Sequence, residues 1–267
     1  MTTFNIFNKA RWLVTIILLI TFAVSNVWGT SARISAYGSI TSGRTYWMGA
    51  STGNPATDYY WQASGGIATS NSNLTGVAVT SASSGTVVKF TGSGTSWTIQ
   101  FLNGNYLTIP STDANGKYKS QTASATWTLS NASSLIKMTI NSHVFQKNNS
   151  TTAFGSYKTS SNQKNIWLEP ALKVKYVGNG NTSGTAPDSA FYLTSTTVTV
   201  ASNTGSLAKT GYTFGGWNTR ADGNGTNYTA GSGTFSITGD ITLYAKWVSA
   251  GTSVTLSKAA TTNGSFS

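Results

Sequence analysis

The chain's one histidine, His143, stands in the run INSHVFQ (140–146). A hydrolytic triad needs an imidazole oriented by a carboxylate and touching a hydroxyl, and no acid lies within 25 residues of His143 in sequence. A lone histidine in a strand-like run reads as a surface or packing residue. Gly49-Ala50-Ser51-Thr52-Gly53 matches G-x-S-x-G, but that elbow works only between a strand and a helix, and Asn54-Pro55 is a poor helix start. The six acids are Asp58, Asp113, Glu169, Asp188, Asp222 and Asp240. A carboxylate pair for glycoside hydrolysis would have to come from the first three. The stretch DGNGTNY (222–228) has an outline of a calcium loop without its other acids or closing glutamate. With no cysteine, thiolate metal sites and disulfides are both unavailable. No catalytic residues, cofactor or metal site are expected, and the chain reads as a non-enzyme.

Aromatic side chains are the remaining candidates for binding. Tyr46, Trp47, Tyr59, Tyr60, Trp61, Trp97, Trp127 and Trp167 precede residue 170. Exposed Trp and Tyr rings stack on the C–H faces of sugars, with neighbouring amides and carboxylates bonding the hydroxyls. Trp97, Trp127 and Trp167 sit within strand-like runs and read as core. The consecutive Tyr59, Tyr60 and Trp61 in DYYWQ cannot all face inward on a strand, so they are the candidate glycan-binding residues.

Seventeen Lys and Arg against six acids give a net charge of +11. A basic balance suits nucleic acid, anionic membrane or acidic glycans. The basic residues are scattered, with no run beyond the Lys173 and Lys175 alternation, so nucleic acid is not expected as a partner. Surface glycans and host or cell-envelope proteins are.

These side chains must be positioned by a chain poor in helix formers. Charged residues are 9% and aromatics 12% of the sequence, which leaves ample material for burial, with Ser, Thr, Asn and Gly supplying polarity. The first residues carry Lys9 and Arg11 ahead of the uncharged run Trp12 to Val24, too short to span a bilayer comfortably and matched to a signal peptide. Residues 1–29 are read as that peptide, cleaved after Gly29 or Ala32, so the membrane is met only during export. Its removal leaves fifteen basic and six acidic residues, a net +9. The mature chain is expected outside the cell or on its envelope.

Beyond Thr30, short alternating runs are broken by turn residues: VVKF (87–90), WTIQFL (97–102), YLTI (106–109), TWTLS (126–130), LIKMTI (135–140), HVFQ (143–146) and NIWLE (165–169). Asn103-Gly104-Asn105 is a hairpin signal. Segment 101–129 aligns with 140–168 at a shift of 39 residues, matching Phe101 to Ile140, Tyr106 to Phe145, Gly116 to Gly155 and Tyr118 to Tyr157. Two copies of a four-strand unit suit a barrel, sandwich or trefoil built by duplication, with no clean third copy legible in 34–96. Residues 30–170 are thus one antiparallel β domain of unknown role. They resemble β-rich modules near the amino ends of secreted Bacteroides-type proteins, a likeness that implies no activity.

After Pro170 a second region begins, and its last strand, GDITLYAKW, alternates Ile241, Leu243, Ala245 and Trp247 against Thr242, Tyr244 and Lys246. The stretch GYTFGGWNTRADGNGTNY (211–228), a Gly-rich turn and the closing TLYAKW place Gly211, Tyr212, Phe214, Gly216, Trp217, Tyr228, Leu243, Tyr244, Ala245 and Trp247 in a pattern that closely resembles the Listeria–Bacteroides repeat, or internalin B-repeat, over 173–248. The resemblance implies a compact β-grasp-like module of bacterial cell-envelope proteins, often in tandem arrays, without catalysis. One full copy is present here, so avidity by repetition is not implied. In physical terms Phe214 and Trp217 supply a large apolar payload to a small core, and the signature is read as structural. Residues 249–267 carry one alternating strand and stop after Asn263-Gly264; they are expected to begin a further module of a longer protein. The function expected is a secreted, non-catalytic surface protein for adhesion or spacing, with a carbohydrate-binding module of a larger enzyme as the alternative and a hydrolase a distant third.

Overall fold

The computed structural model describes residues 33–51, 58–63, 74, 76–109, 116–158 and 163–251. Residues 1–29, read above as a signal peptide, and nearly all of 249–267 lie outside these, as do Thr52, Gly53 and Asp113. The described chain is β throughout, with short 3-10 turns at Tyr37–Ser39 and Ala82–Ser84 and no α-helix among the described residues. It divides into two units, 1–171 and 172–267.

The first unit holds twelve strands in three sets of four. The first set is β1 (Thr45–Ala50), β2 (Tyr59–Ala63), β3 (Gly76–Val79) and β4 (Val87–Ser93). The second is β5 (Ser96–Phe101), β6 (Tyr106–Thr108), β7 (Lys119–Gln121) and β8 (Thr126–Ala132). The third is β9 (Leu135–Ile140), β10 (His143–Lys147), β11 (Ala153–Lys158) and β12 (Ile166–Pro170). Six strands close a ring: β1 pairs β4, β4 pairs β5, β5 pairs β8, β8 pairs β9, β9 pairs β12, and β12 returns to β1, all antiparallel. The other six form one hairpin per set, β2–β3, β6–β7 and β10–β11. A closed six-strand barrel carrying three hairpins is a β-trefoil, and closure removes the exposed sheet edges that would otherwise invite pairing with other chains. The 39-residue echo carries β5 onto β9, and the structure supplies the third copy that the sequence hides.

The core explains which residues alternate. Along β5, Trp97, Ile99 and Phe101 are buried while Thr98 and Gln100 are half-buried. Trp61, fully buried, packs against Tyr118 at 5.4 Å, Phe145 at 5.2 Å and Phe101 at 5.8 Å between ring centroids. It thereby ties all three sets together, and its contacts with Tyr118 and Phe145 are edge-on, a geometry that aromatic quadrupoles favour, while that with Phe101 is tilted. Trp127 is also wholly buried, and its indole N–H donates to Leu107 O at 2.9 Å. Gly104 turns the β5–β6 hairpin at φ 92°, a region that favours glycine.

The second unit has β13 (Leu172–Val177), β14 (Ala190–Tyr192), β15 (Thr197–Thr199), β16 (Tyr212–Asn218), β17 (Asn227–Tyr228), β18 (Thr234–Ser236) and β19 (Ile241–Ser249). Five strands form a sheet in the order β14-β13-β19-β16-β17, with β15 and β18 as a separate ribbon. First and last long strands, β13 and β19, lie parallel and adjacent in the middle. That is the grasp-like arrangement, with the chain between them as the crossover that a parallel pair requires. Where a helix would cover such a sheet, Val198, Val200, Leu207 and Ile237 from the ribbon and its loops fill the core with Val174, Tyr176, Leu243 and Ala245. This follows from a sequence short of helix formers.

Candidate functional site

The signature of the second unit is used up in its interior. Gly216, at φ 97°, sits in a β-bulge between Phe214 and Trp217 where β16 shifts register on β19. The bulge turns Trp217 into the core at 0% exposure, where its indole N–H donates to Ala201 O at 2.7 Å. Tyr176 and Phe214 pack edge-on against it at 4.8 and 5.3 Å, and Trp247 extends the row to Phe214 at 5.8 Å. Tyr228 packs on Phe235, Gly211 has a positive φ, Tyr244 is half-buried, and Tyr212 is exposed with Lys209 over its ring.

Sequence reasoning missed Asn218. It is wholly buried, and its amide nitrogen lies 3.0 Å from both Gly223 O and Gly225 O and 2.8 Å from Asn227 Oδ1. Its Oδ1 accepts from the backbone N–H groups of Arg220 and Gly225. One side chain thus shapes the Asp222-Gly-Asn-Gly turn, and an asparagine four residues before such a turn is the signal that could have pointed to it. Asp222 accepts from Asn224 N–H and pairs with Arg220, which together hold its carboxyl below the usual range. Both its bonds are internal to the turn. A depression of about 220 Å³ runs along Phe235 to Ile241, and its carboxylate, Asp240, already accepts from Lys173 N–H.

In the trefoil, the three glycan candidates separate. Trp61 has no exposed surface, which corrects the expectation that it offers a stacking face. Tyr60 points away from the barrel core yet is 7% exposed, because a second layer covers it: its hydroxyl donates to Glu169 Oε2 at 2.7 Å and its ring meets Trp167 edge-on at 5.1 Å. Burial, reinforced by Glu169, keeps the Tyr60 hydroxyl protonated well above the ordinary tyrosine range. Tyr59 is half-buried, packed at the rim of the barrel core, with the Lys147 ammonium 5.1 Å from its ring centroid.

The same outer layer gathers two of the three acids that a glycosidase reading would draw on. Asp58 and Glu169 are 8% and 7% exposed, and both are paired with Arg33, Glu169 at 3.9 Å. The Arg33 guanidinium lies 4.0 Å over the Trp167 ring. Arg33 reaches them because Ile34 bridges Leu168 on β12 through two backbone bonds. Trp167 is buried as expected, but in this outer layer rather than in the central core.

His143 pairs across strands with Ile140 and Lys158, and its Nδ1 lies 2.8 Å from Asn141 O. Ser51 follows β1, whose partners are β2, β4 and β12, none of them the strand of His143. Among the described residues no three His, Cys, Asp or Glu cluster as a metal site would require, and no helix is long and apolar enough to cross a membrane.

Two curated relatives come from Evansella cellulosilytica. One, named as a Gly-rich membrane protein, is 38% identical over 98 residues, 35% of this chain and 11% of its own. The other, named as a membrane protein, is 39% identical over 83 residues, 31% of this chain and 12% of its own. The match therefore spans little more than a tenth of either relative. Among solved structures, the Polyporus squamosus lectin, bound to a human-type influenza-binding epitope, aligns over 58% of this chain and 62% of its own at 11% identity, with a TM-score of 0.39. A salivary protein of Culex quiquefasciatus from the Cysteine and Tryptophan-Rich family aligns over 49% and 95% at 13% identity, with a TM-score of 0.37. Residues 173–246, built around the buried Trp217 and its bulge, match the family model of the Listeria-Bacteroides repeat domain.

Proposed function

We propose that this chain is an exported, non-catalytic protein of a bacterial cell surface or envelope, in which the repeat domain acts as a spacer or adhesion unit. The observation that carries this reading is the complete burial of Trp217 with its N–H bonded to Ala201 O. The motif thereby builds an independent scaffold and leaves function to outer surfaces. The repeat match at 173–246, the membrane-protein names of the Evansella relatives and the leader-like first residues support the location. The pairing of both Asp58 and Glu169 with Arg33, in a buried layer, supports the absence of catalysis. Protease treatment of intact producing cells is the test: peptides from 173–246 should be released before any cytoplasmic marker appears. Their release only after lysis would end this reading.

A second reading, that the trefoil binds carbohydrate, is favoured by the half-buried Tyr59, whose ring stands beside Lys147. Glycan binding that disappears in Tyr59→Ala would support it, and a flat response across glycans would remove it.

A further inference from the structure

The trefoil pairs its charges unevenly. Its two described carboxylates, Asp58 and Glu169, are both buried and both assigned to Arg33, while nine described Lys and Arg residues belong to the same unit. Two of these cations are held side by side. Lys147, at the end of β10, and Lys164, just before β12, exchange both backbone N–H to O bonds at 3.0 Å. Directly opposed residues place their Cβ atoms about 5 Å apart, and like charges so placed destabilise the pairing.

Lys147 escapes part of that cost by turning inward. It is 6% exposed, donates to Asn148 O at 2.8 Å and Thr151 O at 2.9 Å, and lies over the Tyr59 ring. Burial, together with the Lys164 charge, holds its pKa below the ordinary lysine value. Lys164 is half-buried, and its ammonium makes no hydrogen bond or ion pair among the described residues. Around the pair stand amide side chains: Gln146 donates to Asn165 Oδ1 at 2.9 Å, and Gln163 Oε1 accepts from Asn149 N–H. Neither member of this repulsive cation pair has a carboxylate counter-ion among the described residues, and the pair stands beside the half-buried Tyr59 ring and a row of amides; an anion bound at Lys164 would offset the repulsion.

We propose that Tyr59, Lys147 and Lys164 form a subsite for an acidic sugar residue of a polysaccharide, with the Lys164 ammonium pairing the sugar carboxylate and the Tyr59 ring facing its C–H surface. This rests on the carbohydrate-binding reading of the trefoil and names its substrate class. It is independent of where the protein resides, so the protease experiment on intact cells can succeed or fail separately.

The test uses the full chain against immobilised polygalacturonate, its methyl-esterified neutral form and inorganic polyphosphate. The expected result is salt-sensitive binding to polygalacturonate and not to the ester. Lys164→Gln should weaken it about tenfold, the worth of one charge-assisted hydrogen bond. Tyr59→Ala should weaken polygalacturonate binding by a similar factor while leaving any polyphosphate binding unchanged. Lys89→Gln, a cation elsewhere on the barrel, should bind as the parent does. Absence of binding to polygalacturonate, equal binding of the ester, parental binding by Lys164→Gln, an equal loss in Lys89→Gln, or indifference to Tyr59→Ala would each overturn the proposal. Unchanged thermal unfolding of Lys164→Gln and Tyr59→Ala separates loss of the site from loss of the fold.

Discussion

Gly49 and Trp167 face each other across β1 and β12, and the Trp167 indole occupies the volume that a side chain on Gly49 would need. A Cβ at Gly49 would overlap both that ring and the backbone oxygen of Tyr59. The first glycine of the G-x-S-x-G match therefore has a packing role. The same device recurs where Trp61 lies against Gly76 and Trp97 against Gly92: a glycine on one strand makes room for an indole on another.

Gly49→Ala should accordingly destabilise the trefoil by about 1–3 kcal/mol, the usual cost of overpacking. The obstruction includes backbone, so a rotamer change cannot relieve it. Urea unfolding followed by tryptophan fluorescence reads the shift in midpoint, and a parental midpoint would contradict this account of Gly49.

Asn218→Ala should remove a buried group engaged with five partners of one turn. At about 0.5–1.5 kcal/mol net per bond, with carbonyls left facing a void, the loss should be about 2–4 kcal/mol. Asn218→Asp should be worse, because a carboxylate would face the Gly223 and Gly225 carbonyls. An aspartate variant as stable as the parent in denaturant titration would show that the turn holds itself.

Arg33→Ala leaves Asp58 and Glu169 buried without their shared cation. Breaking a buried pair costs about 3–5 kcal/mol, and partial exposure of the Arg33 side chain, 24%, places the expectation near the lower end. The double variant Asp58→Asn with Glu169→Gln should recover part of the loss. No recovery would mean that stacking of Arg33 on Trp167, rather than charge, is what matters.

At alkaline pH the buried tyrosines set the sign. Burial holds the hydroxyls of Tyr60 and Tyr118 protonated well above their ordinary range, with Glu169 adding to the effect at Tyr60. Because the folded pKa values are raised, their contribution to stability is whole below about pH 10 and is lost as pH rises beyond it. Each such tyrosine should add about 1.4 kcal/mol per pH unit to the decline in that window, and Tyr118→Phe should make the decline shallower. Tyrosinate absorbance should appear together with loss of near-ultraviolet circular dichroism; full titration in a still-folded protein would refute the burial argument.

The strands with one face in the core were legible from sequence: LIKMTI coincides with β9, and TLYAKW lies within β19. Strands covered on both sides were legible only in part: β10 and β12, each buried at four of five positions, coincide with HVFQ and NIWLE, whereas β1 was missed. β1 is buried at every position from Tyr46 to Ala50 and so shows no alternation to read. The third trefoil copy was masked by length. Thr45 to Ser93 spans 49 residues, whereas Ser96 to Ala132 spans 37 and Leu135 to Pro170 spans 36, so insertion between its strands erased the register that a fixed shift detects.

Composition, periodicity and the Gly211 to Trp217 motif thus determined by themselves that the two units are built mainly of β-strands and where the repeat module lies, because alternation and positive-φ glycines are local properties of the backbone. Only the tertiary structure decided the fates of Tyr59, Tyr60 and Trp61. Strand period separates inward from outward neighbours, but whether the outward ring meets water depends on a second layer contributed by Arg33, Trp167 and Glu169, far away in sequence. The pairing of Lys147 with Lys164 was hidden for the same reason: seventeen positions apart, they meet through a backbone bridge that exists only once β10 and β12 have closed the third repeat.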